Sequence, residues 1–253
     1  RGISANLGEK AADTFGADQH PDLKADFIMA NPPFNQKDWR AESELTDDPR
    51  WKGYDVPPKS NANYGWILNM AAKLSDNGVA GFILANGALS GGGEEYKIRC
   101  KLIENNMVEA IIILPRNMFY TTDISVTLWI LNKNKSVQTL DKGTETRNYR
   151  KREEEILFMD LRQQGEPFEK KYIQFSPTQI EDITQTFHTW QTDKETYQDI
   201  PEYCYSANKT EVEKKDFSLV PSKYIEFINR DENIDFDTKM QGLQTELQDL
   251  LAQ

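Results

Sequence analysis

Ala25-Asp26-Phe27-Ile28-Met29-Ala30-Asn31-Pro32-Pro33-Phe34 decides how this chain is read. Residues 26–30 are almost continuously apolar, the pattern of a short buried strand in a parallel sheet. The strand must stop at Asn31. Proline donates no backbone hydrogen bond and holds φ near −65°, so it has no place in a central strand. The residue before each proline is itself pushed to an extended conformation. The chain therefore leaves the sheet as a stiff loop. In open α/β sheets, ligands sit outside the carboxyl ends of the strands. There this loop offers an amide on Asn31, a carbonyl on Pro32 and a ring on Phe34.

Those groups suit amino-group methylation of a planar base. An exocyclic amine is a poor nucleophile because its lone pair is delocalised into the ring. Two acceptors that hold its two hydrogens draw the nitrogen towards sp³ geometry and localise the lone pair. The Asn31 side-chain oxygen and the Pro32 carbonyl can be those acceptors, and Phe34 can stack on the base. Read structurally, the same stretch is a rigid turn with Phe34 in the core.

Working outward, residues 7–15 hold a plausible edge strand and residues 35–61 a long polar connection with Trp39 and Trp51. A connection of that length without periodicity is functional or mobile. Helical spacing of Trp66, Leu68, Met70, Ala71 and Leu74 predicts a helix over 63–75, stopped by Asn77-Gly78. Strands follow at 79–85, 107–114 and 124–131, with a helix at 94–106 after the flexible break Gly91-Gly92-Gly93. The β-α-β-α-β rhythm predicts a doubly wound parallel sheet. Residues 134–154 read as a connecting segment and 156–161 as one more strand. Ser176-Pro177-Thr178 caps a helix through Trp190, and residues 237–252 carry a helical apolar stripe.

Composition bounds the function. The chain has 253 residues, 38% hydrophobic and 28% charged, which suits a globular protein with a sizeable core. No apolar run reaches the roughly eighteen residues of a membrane span, and no signal-peptide pattern is present, so a cytoplasmic location is expected. Cys100 and Cys204 read as reduced thiols, and His20 and His188 are too few for a His-rich metal site. A net charge of −11 argues against a stand-alone DNA binder, because DNA affinity comes largely from cations meeting phosphates.

Residues 25–34 resemble motif IV of the amino-methyltransferases that use S-adenosylmethionine. More widely, the chain is similar to the modification (M) subunit of type I restriction-modification systems, an adenine-N6 DNA methyltransferase. An ordered series carries that resemblance: His20 to Asp26, Asp48-Pro49-Arg50-Trp51, Asn61-Ala62-Asn63-Tyr64-Gly65-Trp66 and Gly78 to Gly87. Leu114-Pro115 to Phe119-Tyr120, Leu128 to Lys133 and Leu219 to Tyr224 complete it. It implies a doubly wound α/β S-adenosylmethionine-dependent methyltransferase fold over residues 1–134 and an α+β extension with a helical tail over 135–253. It also implies S-adenosylmethionine as cofactor, no metal, and DNA with a flipped adenine as substrate. A specificity subunit and a restriction subunit are the implied partners. Asn31, Pro32 and Phe34 take the catalytic positions. Phe119 and Tyr120 fall in the motif VIII region on the base side, and Asp13 matches the motif III acidic residue that contacts the cofactor adenine. The resemblance further implies a glycine-rich motif I loop upstream of motif IV. Residues 1–30 carry none, so the chain is expected to be a C-terminal part holding the base-binding half, inactive in isolation. Two other readings of the same residues are a protein-glutamine methyltransferase of the release-factor type and a non-catalytic assembly platform for a specificity subunit.

Overall fold

The structure is a computed structural model that describes residues 2, 4–141, 146–228 and 236–251. Its centre is a six-stranded sheet, formed in chain order by β1 (Ala25–Ala30), β2 (Leu74–Ala85), β3 (Val108–Ile113), β4 (Val126–Asn132), β7 (Glu155–Asp160) and β10 (Cys204–Asn208). The order across the sheet is β1-β2-β4-β3-β7-β10. The pairs β1/β2 and β3/β7 are parallel, whereas β4 runs antiparallel to both its neighbours and β10 antiparallel to β7. The sheet is therefore mixed, where the rhythm of the sequence predicts a parallel one. The reason lies in the β3-to-β4 connection. Residues 114–125 contain no helix, and parallel neighbours need a helical crossover, so β4 folds back as a hairpin partner.

Helices cover both faces. On one face α1 (Asn63–Ala72) and α2 (Glu94–Glu104) bury Ile67, Leu68, Ile98 and Leu102 against Phe82, Leu84, Trp129 and Leu131. On the other, α3 (Pro177–Thr192) sets Trp190 against Ala110, Ile112, Leu157 and Met159. A reciprocal capping box starts α3, with the Ser176 hydroxyl accepting from the Gln179 N–H and the Gln179 side chain accepting from the Ser176 N–H. Two short hairpins stand outside the main sheet: β5 (Gln138–Asp141) with β6 (Thr146–Tyr149), and β8 (Glu166–Phe168) with β9 (Tyr172–Gln174). The remaining helices are α4 (Lys209–Lys214) and α5 (Phe236–Leu251), the latter exposed along its length. Residue 252, the expected end of the last helix, lies outside the described residues. No described helix is long and apolar enough to cross a membrane.

Three further expectations are corrected. β1 is an edge strand, and Phe27 and Met29 are 74% and 93% exposed, because the described residues cover only its α1 face. Residues 7–15 form no strand; they end in a turn that Asp13 caps. The first helix stops at Ala72, and β2 begins at Leu74, before Asn77-Gly78. Lys73 is drawn inward there, donating to Asp18 at 2.7 Å and to the His20 carbonyl at 2.6 Å. Gly78 is then a crowded point inside β2, because a Cβ on it would lie 2.7 Å from the Ala25 carbonyl oxygen. The pairing of β1 with β2 shifts register at the same place, between Ala25 and Phe27.

Candidate active site

Asn31, Pro32, Pro33 and Phe34 leave the carboxyl end of β1 and line a recess of about 290 Å³. Ile83 near the end of β2 forms its floor, and Phe119, Thr121 and Thr122 from the β3–β4 connection form the far wall. No charged residue lines it, which suits a neutral planar ligand. Pro32 is buried and Phe34 half-buried, whereas Asn31 is exposed. Among the described residues nothing hydrogen-bonds the Asn31 amide, so both its ends are available. Phe34 packs against the apolar clusters on both sides of the sheet, which fixes its ring at the mouth.

The loop is held by residues whose part sequence reading missed. Asn35 lies in the left-handed region at φ 52°, where Asn is tolerated. Its amide side chain and backbone are gripped by Asn63, which is 1% exposed at the start of α1. The Asn35 N–H donates to Asn63 Oδ1 at 3.0 Å, and Asn63 Nδ2 donates back to Asn35 Oδ1 at 2.9 Å. The Ala62 N–H adds a bond to the Gln36 carbonyl at 2.9 Å. The spacing signal was present, since Asn61-Ala62-Asn63 opens the helix beside the loop, but the pairing needs the fold.

The long connection 35–61 is tightly packed. Its Trp39 sits 4.4 Å from the Phe15 ring, and Trp66 of α1 sits 4.3 Å from it on another side. Gly65 is the contact point: a Cβ there would meet Trp39 at 3.2 Å and Phe15 at 3.3 Å. Arg50 is buried beneath, donating to the Phe15 carbonyl at 2.6 Å and pairing with Asp48 at 2.7 Å. Tyr64 donates to the Ala88 carbonyl at 2.7 Å, tying α1 to the turn after β2, and burial pushes its phenol well above the usual range.

The other candidates fall in different places. Phe119 lines the recess, whereas Tyr120 lies outside it with its ring 4.7 Å from Tyr172. Asp13 Oδ1 accepts from the Phe15 and Gly16 N–H groups, so one carboxylate oxygen serves the turn. Asp13 and Asn31 are not brought into one recess. Behind the Asn31–Pro33 loop, on the α1 side, is a second recess of about 410 Å³ lined by Ile28, Trp66 and Met70. The Trp66 indole N–H is buried there without a partner among the described residues. The three glycines lead into α2, with the Gly91 carbonyl held by Arg99 at 2.7 Å. Cys100 and Cys204 are both free thiols, and the described residues contain no cluster of three potential metal ligands.

The family model described as N-6 DNA Methylase matches residues 1–233. The chain is 39% identical over 254 residues to the type I restriction enzyme HindI methylase subunit of Haemophilus influenzae, a match spanning 100% of this chain and 53% of the relative. It is 32% identical over 245 residues to the type I restriction enzyme MjaIX methylase subunit of Methanocaldococcus jannaschii, covering 94% of this chain and 41% of the relative. The chain thus spans about half the length of the curated relatives it matches. The crystal structure of the type I restriction-modification methyltransferase subunit from Streptococcus thermophilus superposes with a TM-score of 0.71 at 27% identity, over 86% of this chain and 42% of that one. The mixed sheet with Asn-Pro-Pro-Phe at the end of its edge strand is part of a methyltransferase fold, and the chain belongs to the N-6 DNA methylase family.

Proposed function

We propose that this chain carries the base-binding half of the active site of an adenine-N6 DNA methyltransferase, the M subunit of a type I restriction-modification complex acting in the cytoplasm. The observation that carries this is the recess in which an unbonded Asn31 amide and the Pro32 backbone meet the rings of Phe34 and Phe119. Asn31 Oδ1 and the Pro32 carbonyl accept the two hydrogens of the adenine amine. That leaves the nitrogen lone pair free to form a bond to the donor's methyl carbon as the methyl–sulfur bond breaks, with the neutral thioether leaving and the proton shed by the nitrogen passing to water. Phe34 stacks on the extruded base, worth about 1–3 kcal/mol by analogy with other base-stacking sites. S-adenosylmethionine, when bound, supplies an electrophilic methyl. Of the described residues, Trp66, with its orphaned N–H, and the apolar recess behind the loop fit the cofactor side, while no glycine loop cradles its amino-acid end. DNA affinity is assigned chiefly to a specificity subunit, since this chain carries a net charge of −11. The exposed stripe of Leu243, Leu247, Leu250 and Leu251 on α5 is the surface that would dock it.

The test is Asn31→Ala in the intact methylase complex, measured by transfer of labelled methyl groups to unmethylated genomic DNA. Methylation is expected to fall by at least about a hundredfold, the scale of removing a transition-state partner. The melting temperature should not move, because the exposed Asn31 side chain bonds nothing. Near-normal methylation by this variant would overturn the reading.

A further inference from the structure

The far wall of the recess is built from a segment that is weakly held by itself. Residues 116–124 contain one β-bridge, between Phe119 and Thr122, and its Thr122-to-Phe119 bond is 3.4 Å long. The Ile124 N–H to Thr122 Oγ1 bond is also 3.4 Å, at the outer limit of hydrogen-bond geometry. Asn117 stands in the left-handed region at φ 61°. Phe119 and Met118 rest against the apolar cluster on the α3 face, but the hydrogen bonds within this stretch are too few and too long to fix the Phe119 ring opposite Phe34 by themselves.

The β8–β9 hairpin supplies the remaining support. The Ile173 N–H donates to the Asn117 carbonyl at 3.0 Å, immediately before the wall residues. The Tyr172 ring meets the Tyr120 ring edge-on, with centroids 4.7 Å apart and planes at 67°. Lys171 pairs with Asp123 at 2.9 Å, and the Asp123 carbonyl accepts from Arg116 Nε at 3.2 Å. Both ends of the wall and its middle are thus tied to three successive residues, Lys171 in the hairpin turn and Tyr172 and Ile173 at the start of β9. The ion pair is more than half exposed and adds little. The ring contact and the backbone bond carry the brace. The hairpin is itself seated closely: Gly165 sits at φ +98°, and a Cβ there would lie 2.4 Å from Ile173 Cγ2. A two-stranded hairpin with three-residue strands is marginal alone, so hairpin and wall stabilise each other.

We infer that the β8–β9 hairpin is the brace of the base recess and that Tyr172 is a positioning residue, acting through Tyr120 to set Phe119 opposite Phe34. A segment well beyond the motif-bearing strands thereby shapes the methylation site. The inference rests on the proposed base-binding reading of the recess.

The experiment compares Tyr172→Ala and Tyr172→Phe in the intact methylase complex, using methyl transfer to unmethylated genomic DNA and amide hydrogen exchange over residues 117–124. For Tyr172→Ala, kcat is expected to fall and exchange to quicken by about three- to tenfold, the size of one lost aromatic pair. The KM for S-adenosylmethionine should stay unchanged. Tyr172→Phe, which keeps the ring, should restore both readouts. Wild-type kcat and exchange in Tyr172→Ala, or a Phe variant as slow as the Ala variant, would overturn the brace. Should Tyr172→Ala fail to fold, Tyr172→Leu reads the same contact: faster exchange at 117–124 supports the brace, and unchanged exchange overturns it. Asn31→Ala separates the two readings. If it still methylates, the base-site assignment fails; if it is dead while Tyr172→Ala is normal, only the brace fails.

Discussion

Asn63 spends both ends of its amide on Asn35, and it does so almost fully buried. Replacing it with Ala removes both bonds, leaving Asn35 Oδ1 only the long 3.4 Å bond from Asn61 Nδ2, and frees a residue already in the left-handed region. Asn35 is exposed, so water can reach its freed groups, and the loss is that of two ordinary hydrogen bonds: Asn63→Ala should lower stability by about 1–3 kcal/mol in denaturant unfolding. The same variant should also slow methylation by the complex, because Asn35 follows Phe34 directly and sets its exit from the recess. A variant that lost stability with full methylation would show that the clamp supports α1 alone. Gly65, two residues on, is a tight spot, where a methyl group would meet Trp39 at 3.2 Å and Phe15 at 3.3 Å. Trp39 is held by its bond to the Pro58 carbonyl and Phe15 by the tryptophans around it, so Gly65→Ala should destabilise by about 1 kcal/mol, overpacking outweighing the helix preference of Ala, read in the same unfolding assay. These positions are buried for steric and hydrogen-bonding reasons, whereas Asn31 three residues before Phe34 is left open to solvent.

At the scale of elements, one carboxylate joins three of them. Glu109 of β3 is fully buried and accepts from Arg152 Nε at 2.8 Å, from Asn132 Nδ2 of β4 at 2.6 Å and from Gln191 Nε2 of α3 at 3.1 Å. Glu109→Ala strands the buried Arg152 and should cost about 3–5 kcal/mol. A double replacement of Glu109 and Arg152 by Leu should recover only part of that loss: it removes the stranded charge but still leaves the buried Asn132 and Gln191 amides without their acceptor. Equilibrium unfolding of the single and double variants checks both statements. If the single variant unfolds like the wild type, the pair does not dock α3 to the sheet. Nearby, burial pushes the Lys135 amine down to about 8, while its ammonium donates to the Val108 and Glu155 carbonyls.

At the scale of the molecule, partly buried ion pairs set the response to acid. Burial works to raise the Asp48 carboxyl, but hydrogen bonds from Arg50 outweigh it and hold it below the usual carboxylate range. The same balance lowers Asp18, through Lys73, and Glu155, through Arg150 and Lys194. A depressed folded-state pKa means that the unfolded chain binds more protons, so stability falls as pH falls. The contribution is fully present above about pH 4, the unfolded carboxylate value, and is lost as pH drops through the lowered folded values. Thermal melts from pH 7 to pH 3 should show that loss below about pH 4. Asp48→Asn, which can still accept from the Arg50 N–H, should flatten part of the slope; an unchanged slope would remove Asp48 from the account.

What the sequence determined by itself is local. Asn31-Pro32-Pro33-Phe34 had to end a strand, because proline cannot pair within one, and a polar amide at that point had to face the carboxyl end of a sheet. The apolar runs named β1, β3, β4 and β7 within a residue or two, and Ser176-Pro177 named the start of α3. Tertiary structure decided what depends on partners distant along the chain. Strand direction was hidden because an apolar run looks alike in parallel and antiparallel pairing; only the helix-free β3–β4 connection turns β4 over. The end of α1 depended on Lys73 reaching Asp18, 55 residues earlier in the chain. The grip of Asn63 on Asn35 spans 28 residues, and Tyr120 meets Tyr172 rather than the recess. A stop in the chain is written in one residue's own backbone chemistry. A site wall is an agreement between segments, and it exists only once the sheet has brought them together.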